Sequence, residues 1–377
     1  MREDLIIPPG AVIGILGGGQ LGRMLAIAAA RLGYRCRIFA PEPDPPAARV
    51  ADGHDRAPYE DETALAAFAA RVDAITLEFE NIPAKSIEFL ARHKPVHPGA
   101  RLLAVSQDRL REKETINTLG IATAPFRAVN DPDQLHQALA DIGMPAILKT
   151  RRFGYDGKGQ AAIRSEADIA GAWEAMAGAP AILEGFVDFS CEISIIIARN
   201  GHGETAIHGP VENRHRNHIL DMTIAPAPIP PAIAETAREL GRHLAAGLEL
   251  TGLMTAELFV TADGRLLVNE IAPRTHNSGH FTIEACHVSQ FEQAIRALCG
   301  LPLGDPGQHS RAVMKNLIGE DVRHWRTILT DGRAHLHLYD KGEARPGRKM
   351  GHVTWLYPGE EDGSQMPWPP AQLPEIP

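Results

Sequence analysis

Residues 255–270 read TAELFVTADGRLLVNE, two largely apolar runs separated by Asp263-Gly264. An Asp-Gly pair between such runs is a strong signal for a two-residue turn, so the segment predicts a β-hairpin. With that turn, Glu257 lies directly opposite Glu270, and cross-strand partners have Cβ atoms about 5 Å apart. The segment therefore predicts two facing carboxylates.

Two carboxylates at that separation repel each other by about 3 kcal/mol at an effective dielectric constant near 20. The whole scale of strand propensity spans only about 1 kcal/mol, so local preference cannot offset the repulsion. Either the side chains diverge into water or a divalent cation lies between them. Oxygen ligands favour Mg²⁺, which also bridges phosphate groups. We predict a magnesium site formed by Glu257 and Glu270.

Arg274 and two histidines follow the hairpin directly. An arginine fork beside a metal suits a carboxylate or phosphate group in transfer. His276 and His280 could bind zinc from one helix, but Pro273 and Gly279 argue against a helix there. We predict that Arg274 and His276 are catalytic.

A glycine-rich segment follows Lys149, with the sequence RRFGYDGKGQ at residues 151–160. Glycines let backbone N–H groups approach a phosphate closely, and the cations supply charge. The segment lacks the GKS/T ending of a Walker sequence. It predicts a phosphate-binding loop, with a solvated basic hairpin as the alternative.

Residues 17–22, GGGQLG, lie between an apolar strand and a helix that ends before Gly33. The GxGxxG pattern at such a turn is the dinucleotide fingerprint. Helix N-terminal amides could equally bind another anion, or the glycines could permit close packing. All three interpretations remain open on the residues alone.

The remaining features describe the whole chain. Its 377 residues predict two or three domains, and we expect three. Strands alternating with helices over residues 11–79 indicate a parallel α/β unit, and short strands after residue 305 indicate a β-rich end.

Single helices are expected over residues 106–119 and 282–299. Cations and glycines over residues 339–352 predict an anion clamp or, alternatively, a solvated turn, while His335 and His337 are interpreted as an exposed strand face.

Composition excludes several classes of protein. The net charge of −9 argues against a general nucleic-acid or membrane-surface binder. The cysteines contain no CxxC pair, so neither a zinc site nor a disulfide framework is indicated. No secretion signal and no apolar run of membrane-spanning length are found. We expect a cytoplasmic protein with small-molecule partners, no nucleic acid and no membrane.

Five motifs together resemble the ATP-grasp superfamily and, within it, the N5-carboxyaminoimidazole ribonucleotide synthetases of purine biosynthesis. They are GGGQLGRM (17–24), TLEFENI (76–82), GYDGKGQ (154–160), NEIAPRTHNSGH (269–280) and RPGRKMGH (345–352). The resemblance implies a mixed α/β and α+β fold with a three-domain ATP-grasp architecture. The expected divisions are an N-terminal parallel α/β domain (1–112), an ATP-grasp domain (113–304), a small β-rich domain (305–366) and a proline-rich tail (367–377).

The resemblance also implies the reaction. ATP, bicarbonate and 5-aminoimidazole ribonucleotide would give ADP, phosphate and the N5-carboxylated product through carboxyphosphate, with Mg²⁺ as cofactor and a homodimer as the assembly. The ATP-binding residues would be Arg109, Lys149, Gly154, Tyr155, Asp156, Gly157, Lys158, Gly159, Gln160, Glu184, Gly185, Phe186, Val187, Glu192, His215, Asn269 and Glu270. Glu184 to Val187 would form the adenine–ribose hinge. Arg274 and His276 would position bicarbonate and carboxyphosphate. The ribonucleotide would contact Gln20, Leu21, Glu78, Tyr155, Asp156, Lys341, Arg348 and Lys349.

Three other functions remain as alternatives. A formate-dependent glycinamide ribonucleotide formyltransferase of the ATP-grasp type would use the same kind of acyl phosphate. A nicotinamide-dependent oxidoreductase would use the GxGxxG turn. A noncatalytic nucleotide sensor would bind ATP without turnover, although the acidic hairpin and Arg274 argue against it.

Overall fold

The computed structural model describes residues 6–154, 157–358 and 368–376. Its strands are β1 Val12–Leu16, β2 Arg35–Phe39, β3 Gly53–Asp55, β4 Ala74–Leu77, β5 Phe126–Val129, β6 Ala146–Thr150, β7 Gln160–Ile163, β8 Ala181–Gly185, β9 Phe189–Arg199, β10 Thr205–Arg216, β11 Ile219–Ala225, β12 Gly252–Thr261, β13 Leu266–Ala272, β14 Ser310–Ile318, β15 Ala334–Leu338 and β16 Lys349–Pro358. Its α-helices are α1 Gln20–Arg31, α2 Glu62–Ala69, α3 Ala84–Ala91, α4 Ala100–Ser106, α5 Arg109–Thr118, α6 Pro132–Ile142, α7 Ile169–Ala175, α8 Pro231–Gly247, α9 Thr282–Ala285, α10 Gln290–Leu298 and α11 Trp325–Ile328. None of the helices in these described ranges is both long and apolar enough to span a membrane.

The N-terminal part is a four-stranded sheet in the order β3-β2-β1-β4, with parallel pairing throughout. The alternation of strands and helices predicted this parallel unit. Strand β1 is central, and Ile13 and Ile15 are fully buried in the core that α1 covers. The carboxyl end of β1 leads directly into the glycine turn and the start of α1, so this turn lies at the edge where parallel strands end.

An eight-stranded sheet forms the centre of the molecule, in the order β13-β12-β9-β10-β11-β14-β16-β15. All its pairings are antiparallel. The short strands predicted after residue 305 exist, but they continue this sheet through the β11–β14 pairing instead of forming a sheet of their own. The predicted domain boundaries remain predictions. The long strands β10 and β11 were not predicted from the sequence.

A small third sheet, in the order β5-β8-β6-β7, carries the glycine-rich loop. Strands β6 and β7 pair in an antiparallel manner, with Lys149 opposite Gln160, so residues 151–159 form the connection between them. Helices α6 and α7 contribute to its apolar core. The sheet therefore presents the loop at the ends of two short strands.

One predicted helix is confirmed and one is wrong as a continuous element. The helix predicted over residues 106–119 is α5, which begins at Arg109 because Asp108 caps it by accepting hydrogen bonds from Leu110 N and Arg111 N. The segment over residues 282–299 is instead divided between α9 and α10, where the Ser289 side chain accepts from Glu292 N. There a capping side chain starts a new helix inside the predicted one.

The acidic hairpin has the predicted pairing of Glu257 with Glu270, but not the predicted turn. Thr261 N donates to Arg265 O at 3.0 Å, so the loop between them has three residues instead of two. The register then shifts between Glu257 and Leu258, and Asn269 has no partner on β12. This bulge adds one residue to β13 and compensates for the longer turn.

Candidate active site

Each carboxylate of the acidic hairpin contacts a basic side chain. His276 Nε2 lies 3.0 Å from Glu257 Oε1, and Arg109 Nη1 donates to Glu270 Oε2 at 2.8 Å. As register partners on neighbouring antiparallel strands, Glu257 and Glu270 share one face of the sheet. The sequence alone predicted only water or a metal between the two carboxylates. The structure adds basic partners supplied by α5 and by the segment after β13.

Glu270 carries its charge in this environment. Burial by itself would raise the pKa of Glu270, but the Arg109 guanidinium and then the Lys149 ammonium hold that pKa well below its usual range. The neighbouring Asn269 has a buried Oδ1 atom without a hydrogen-bond partner in the described structure. An ionised carboxylate therefore adjoins an amide side chain whose oxygen has no partner.

Hydrogen bonds indicate the tautomer of His276. Ser278 N donates to His276 Nδ1 at 3.3 Å, so Nδ1 carries a lone pair in that contact. In the neutral ring the proton then lies on Nε2, which faces Glu257. The side chain of His276 also caps the short 3₁₀ turn Asn277–Gly279. The ring is thus oriented by the turn that follows it.

Arg274 connects the hairpin to the N-terminal sheet. Its Nε donates to Glu80 Oε2, and its Nη1 donates to Thr275 O at 3.0 Å. Burial would raise the pKa of Glu80, but the charge and hydrogen bond of Arg274 lower it overall. Glu80 was not predicted from the sequence, although it lies two residues after Glu78 in the motif TLEFENI.

Glu78 occupies the glycine turn. Its Oε1 accepts from Gly19 N at 2.6 Å and its Oε2 accepts from Gly22 N at 2.9 Å. A Cβ atom on Gly17 would lie 2.5 Å from Glu78 Cγ, so glycine there permits the carboxylate to approach. The helix N-terminal amides therefore hold an anion of the chain itself. This arrangement contradicts the dinucleotide interpretation of the turn and assigns its anion-binding amides to Glu78.

Burial raises the pKa of the Glu78 carboxyl group, although the Gly22 and Gly19 amides oppose that effect. The positive charges of Arg274 and Lys341 also lower it, which indicates that both cations lie near this carboxylate. Of the other residues predicted here, Leu21 is buried and Gln20 is half-buried at the start of α1. The turn, the acidic motif and the C-terminal loop thus meet around Glu78.

Lys149 extends from β6 into a buried ion-pair group. Its Nζ donates to Glu184 Oε2 at 2.9 Å, and Lys113 Nζ lies 3.4 Å from the same oxygen. Burial lowers the pKa of Lys149 while Glu184 opposes that shift. Glu184 itself has a lowered pKa, because both lysines outweigh its burial. The predicted ATP-binding residues Lys149 and Glu184 are therefore in direct contact.

Helix α5 contributes two residues that were not predicted from the sequence as part of the site. Lys113 Nζ also donates to Asn269 O at 3.1 Å, and Glu112 Oε1 accepts from Ile271 N at 2.8 Å. Burial, and then the charge of Glu270, raise the pKa of Glu112 to about 8. Both residues lie within four positions of Arg109, so helical spacing was the available signal.

The glycine loop is described except for Tyr155 and Asp156, which lie outside the described residues. Gly157 and Gly159 have φ values of +79° and +71°, which favour glycine. Gln160 Nε2 lies 3.5 Å from His218 Nδ1, which belongs to the turn between β10 and β11. The loop thus faces the central sheet. Of the other members predicted here, Gly154 precedes the two undescribed positions and Lys158 lies between Gly157 and Gly159.

The predicted hinge follows β8. Gly185 N donates to Pro125 O at 2.8 Å and Phe186 N to Pro145 O at 3.2 Å, while the Phe186 side chain is exposed. Val187 is half-buried beside it. On the central sheet, His215 Nδ1 lies 2.5 Å from Glu192 Oε2, and this contact raises the pKa of His215 although burial opposes it.

The C-terminal cations lie on the loop between β15 and β16. Lys341 Nζ lies 5.6 Å from the centre of the Tyr339 ring, and Arg348 Nη1 donates to Glu343 O at 3.2 Å. Lys349 is half-buried at the first position of β16. Arg49 of the N-terminal part contacts Asp340 Oδ2 at 2.5 Å and so ties this loop to the glycine turn region.

A cluster of one glutamate and two histidines is formed by residues of α9, β15 and β16. Glu284, His337 and His352 each offer one potential ligand atom, all within 4.8 Å of one another. The rings of His337 and His352 are stacked with planes 7° apart, so their lone pairs do not converge as a tetrahedral zinc site requires. His335 is exposed as predicted, but His337 is half-buried and contacts Glu284 Oε1 at 2.6 Å.

Three known protein domains match successive parts of this chain between residues 11 and 365. Residues 11–107 match the ribonucleotide synthetase preATP-grasp domain, residues 114–291 the ATP-grasp domain, and residues 312–365 the phosphoribosylaminoimidazole carboxylase C-terminal domain. The chain is 50% identical over 354 residues to the N5-carboxyaminoimidazole ribonucleotide synthase of Brucella melitensis, covering 93% of this chain and 98% of that protein. The chain belongs to the N5-carboxyaminoimidazole ribonucleotide synthase family.

Solved structures of the N5-carboxyaminoimidazole ribonucleotide synthase family have the same fold. An ADP complex of one such synthetase superposes with a TM-score of 0.92 at 43% identity, covering 95% of this chain and 94% of that one. The Aspergillus clavatus synthase in complex with ADP and 5-aminoimidazole ribonucleotide gives a TM-score of 0.87 at 31% identity, covering 92% and 94%. The chain is therefore an ATP-grasp ligase that uses ATP, as the motifs indicated, and the oxidoreductase, formyltransferase and sensor alternatives are set aside.

Proposed function

We propose that this ligase carboxylates the exocyclic amine of 5-aminoimidazole ribonucleotide with bicarbonate, at the expense of ATP, in purine biosynthesis. The observation that carries the proposal is one group of side chains: Glu257 and Glu270 share a sheet face, His276 contacts Glu257, Arg109 contacts Glu270, and the charge of Arg274 lies near Glu270. Bicarbonate attacks the γ-phosphoryl group to give ADP and carboxyphosphate. The amine then attacks the carboxyl carbon, and phosphate leaves.

Glu257 and Glu270 would hold Mg²⁺. The donor set fits this ion, because both groups are carboxylates on one face of the sheet and Asn269 Oδ1 is a further buried oxygen without a partner. The low pKa of Glu270 supports the fit, since a metal ligand must be deprotonated. When bound, Mg²⁺ supplies positive charge that offsets the charges of the phosphates.

Arg274 and His276 would position bicarbonate and carboxyphosphate. Two anions must approach each other in the first step, so fixed cations and N–H donors lower the electrostatic cost. Arg274 is held by Glu80 on one side, which orients its guanidinium group without requiring rearrangement during the reaction. His276 Nε2–H points at Glu257 and would donate to an anion bound beside that carboxylate.

The ATP site would lie between the small sheet and the central sheet. Lys149, Arg109 and residues 154–160 would contact the phosphates, and residues 184–187 would contact the adenine and ribose. The hinge supports this role, because it follows the end of β8 and its residues Phe186 and Val187 are exposed and half-buried, respectively. Glu192, His215 and Asn269 would complete the nucleotide contacts from the central sheet.

The ribonucleotide would bind around Glu78. Lys341, Arg348 and Lys349 would contact its phosphate, while Gln20, Leu21, Glu78, Tyr155 and Asp156 would contact the ribose and imidazole. The proximity of the Lys341 charge to Glu78 supports a site that combines one anion with several cations. The meeting of the glycine turn, Arg274 and this loop supports a ribonucleotide site beside the acidic hairpin.

A substrate-matched phosphate-release assay tests the proposal. Release with bicarbonate plus 5-aminoimidazole ribonucleotide should exceed release with formate plus glycinamide ribonucleotide, and it should require Mg²⁺. Activity only with formate would refute it. Mass spectrometry of the product identifies the carboxylated ribonucleotide. We also propose a homodimer on the resemblance alone, which light scattering of the purified protein tests.

A further inference from the structure

We propose that Gln290 is the positioning residue that fixes His276 for catalysis. The inference rests on the proposed role of His276 with bicarbonate and carboxyphosphate. Gln290 is the first residue of α10, it is fully buried, and it lies fourteen positions from His276 in the chain. No substrate contact is assigned to it.

The amide of Gln290 binds both backbone groups of His276. Gln290 Oε1 accepts from His276 N at 2.9 Å, and Gln290 Nε2 donates to His276 O at 2.7 Å. The same Nε2 donates to His280 Nδ1 at 3.2 Å, which requires a lone pair on that ring nitrogen. Burial lowers the pKa of His280 far below its ordinary value, so the ring is neutral and supplies that lone pair. The amide thus has a partner for each of its polar atoms.

The backbone clamp determines the direction of the imidazole. His276 has an extended backbone, and its ring caps the 3₁₀ turn through Ser278 N while its Nε2 faces Glu257. Since the hydrogen bonds of Gln290 hold the peptide groups on both sides of the His276 Cα, they fix the direction in which the Cα–Cβ bond points, and the contacts with Ser278 and Glu257 then fix the ring about that bond. Catalytic geometry is sensitive to such limits, because displacement by about 1 Å can cost about 100-fold in rate.

Gly279 provides a second, independent indication. A Cβ atom at this position would lie 2.5 Å from Gln290 Oε1, 2.6 Å from Cδ and 2.8 Å from Nε2. The turn therefore leaves room for the amide by using a residue without a side chain. Gly279→Ala should displace the Gln290 amide without altering Gln290 itself.

The same helix offers a matched control. Gln293 is also fully buried, and its amide makes an equivalent clamp: Nε2 donates to Gly304 O at 2.6 Å and Oε1 accepts from Gly304 N at 3.0 Å. Gly304 belongs to the connection that leads away from the site. Gln290→Met and Gln293→Met each remove a double backbone clamp while keeping a side chain of similar length, so both should lower thermal stability to a similar extent.

The experiment compares steady-state kinetics of the full chain in these variants. In Gln290→Met, kcat for bicarbonate-dependent turnover should fall by about 10- to 100-fold while KM for ATP stays unchanged. Gln293→Met should keep the kcat of the parent enzyme. Gly279→Ala should reproduce the kcat loss of Gln290→Met. A lower yield of carboxylated product per phosphate released should accompany both losses, because a misplaced His276 lets carboxyphosphate hydrolyse.

Two results would overturn the inference. One is an equal kcat in Gln290→Met and Gln293→Met at comparable thermal stability. The other is a kcat loss in Gln290→Met that Gly279→Ala does not share. His276→Ala separates this inference from the proposed function: if its kcat is normal, the role of His276 fails, whereas a normal Gln290→Met beside an impaired His276→Ala removes only the positioning role.

Discussion

Glu257 lies directly opposite Glu270 on neighbouring strands although the turn that joins their strands has three residues. The bulge at Asn269 restores the pairing that the longer turn would have shifted. A one-residue slip would have moved one carboxylate to the other face of the sheet. The bulge therefore keeps both carboxylates on one face and leaves Asn269, next to Glu270 in the chain, without a partner on β12.

Glu270→Gln tests the proposed metal site. The substitution keeps the shape of the side chain but removes the charge that Arg109 and Lys149 stabilise. We expect kcat/KM for magnesium-ATP to fall at least about 100-fold, which corresponds to about 2.7 kcal/mol of transition-state stabilisation. Phosphate release measured across a Mg²⁺ titration checks this. Glu235→Gln, at an exposed site on α8, is the control, and an unaltered Mg²⁺ dependence in Glu270→Gln would contradict the proposed role.

Gly17→Ala tests the close packing of Glu78 on the glycine turn. Gly17 has a φ of +100°, and its added Cβ would lie 2.5 Å from Glu78 Cγ. Gly10→Ala is the control, because Gly10 has a φ of +93° but nothing within 4 Å of an added Cβ. Both variants carry backbone strain, whereas only Gly17→Ala overpacks the site.

We expect Gly17→Ala to lose about 1–3 kcal/mol more free energy of unfolding than Gly10→Ala. Urea-induced unfolding of both variants gives this difference. Equal losses would mean that Glu78 moves away at no cost and that the turn does not depend on its carboxylate.

Arg348→Ala tests the C-terminal anion clamp. If Arg348 binds the ribonucleotide phosphate, its removal should raise KM for the ribonucleotide by about 10-fold or more and change kcat little, because uniform binding is lost. Arg345→Ala is matched to it, since Arg345 lies on the same loop and pairs with the exposed Glu343. Initial rates at varied ribonucleotide concentration distinguish the two. A similar KM in both variants would argue against the assignment.

The pH dependence of stability tests the environment of Glu112. Its pKa of about 8 in the folded protein exceeds the value of about 4.3 for an unfolded glutamate. The folded state therefore binds more protons between these values, and stability falls as pH rises, by at most about 1.4 kcal/mol per pH unit from this group. The loss is complete above pH 8 and absent below pH 4.

Glu112→Gln should remove that contribution, since a neutral amide can still accept from Ile271 N. Relative to the parent enzyme, the variant should gain free energy of unfolding at pH 9 compared with pH 6. Urea-induced unfolding at the two pH values measures the change. Glu114→Gln, on the exposed side of the same helix, serves as the control. Identical pH profiles of Glu112→Gln and the parent enzyme would show that Glu112 is already ionised at neutral pH.

Local patterns predicted the elements whose residues interact with near neighbours in the chain. The strand before the glycine turn, the helix after it, the acidic hairpin and the short strands after residue 305 all carry their own periodicity or turn signals. The division between α9 and α10 was missed because Ser289 acts through a single capping hydrogen bond inside an apolar-periodic segment. Strand β10 was missed because its second half, ENRHR over residues 212–216, is a polar run without apolar alternation.

The sequence by itself determined the ATP-grasp family, the acidic pair on the hairpin and the motifs that supply cations, because each is a short segment with a chemical signature. Only the tertiary structure decided which partners those groups have. Glu78 fills the glycine turn from 56 to 59 positions away, and Arg109 reaches Glu270 across 161 positions. Such contacts depend on how sheets and helices pack, and a local sequence pattern cannot predict a partner that lies so far away in the chain.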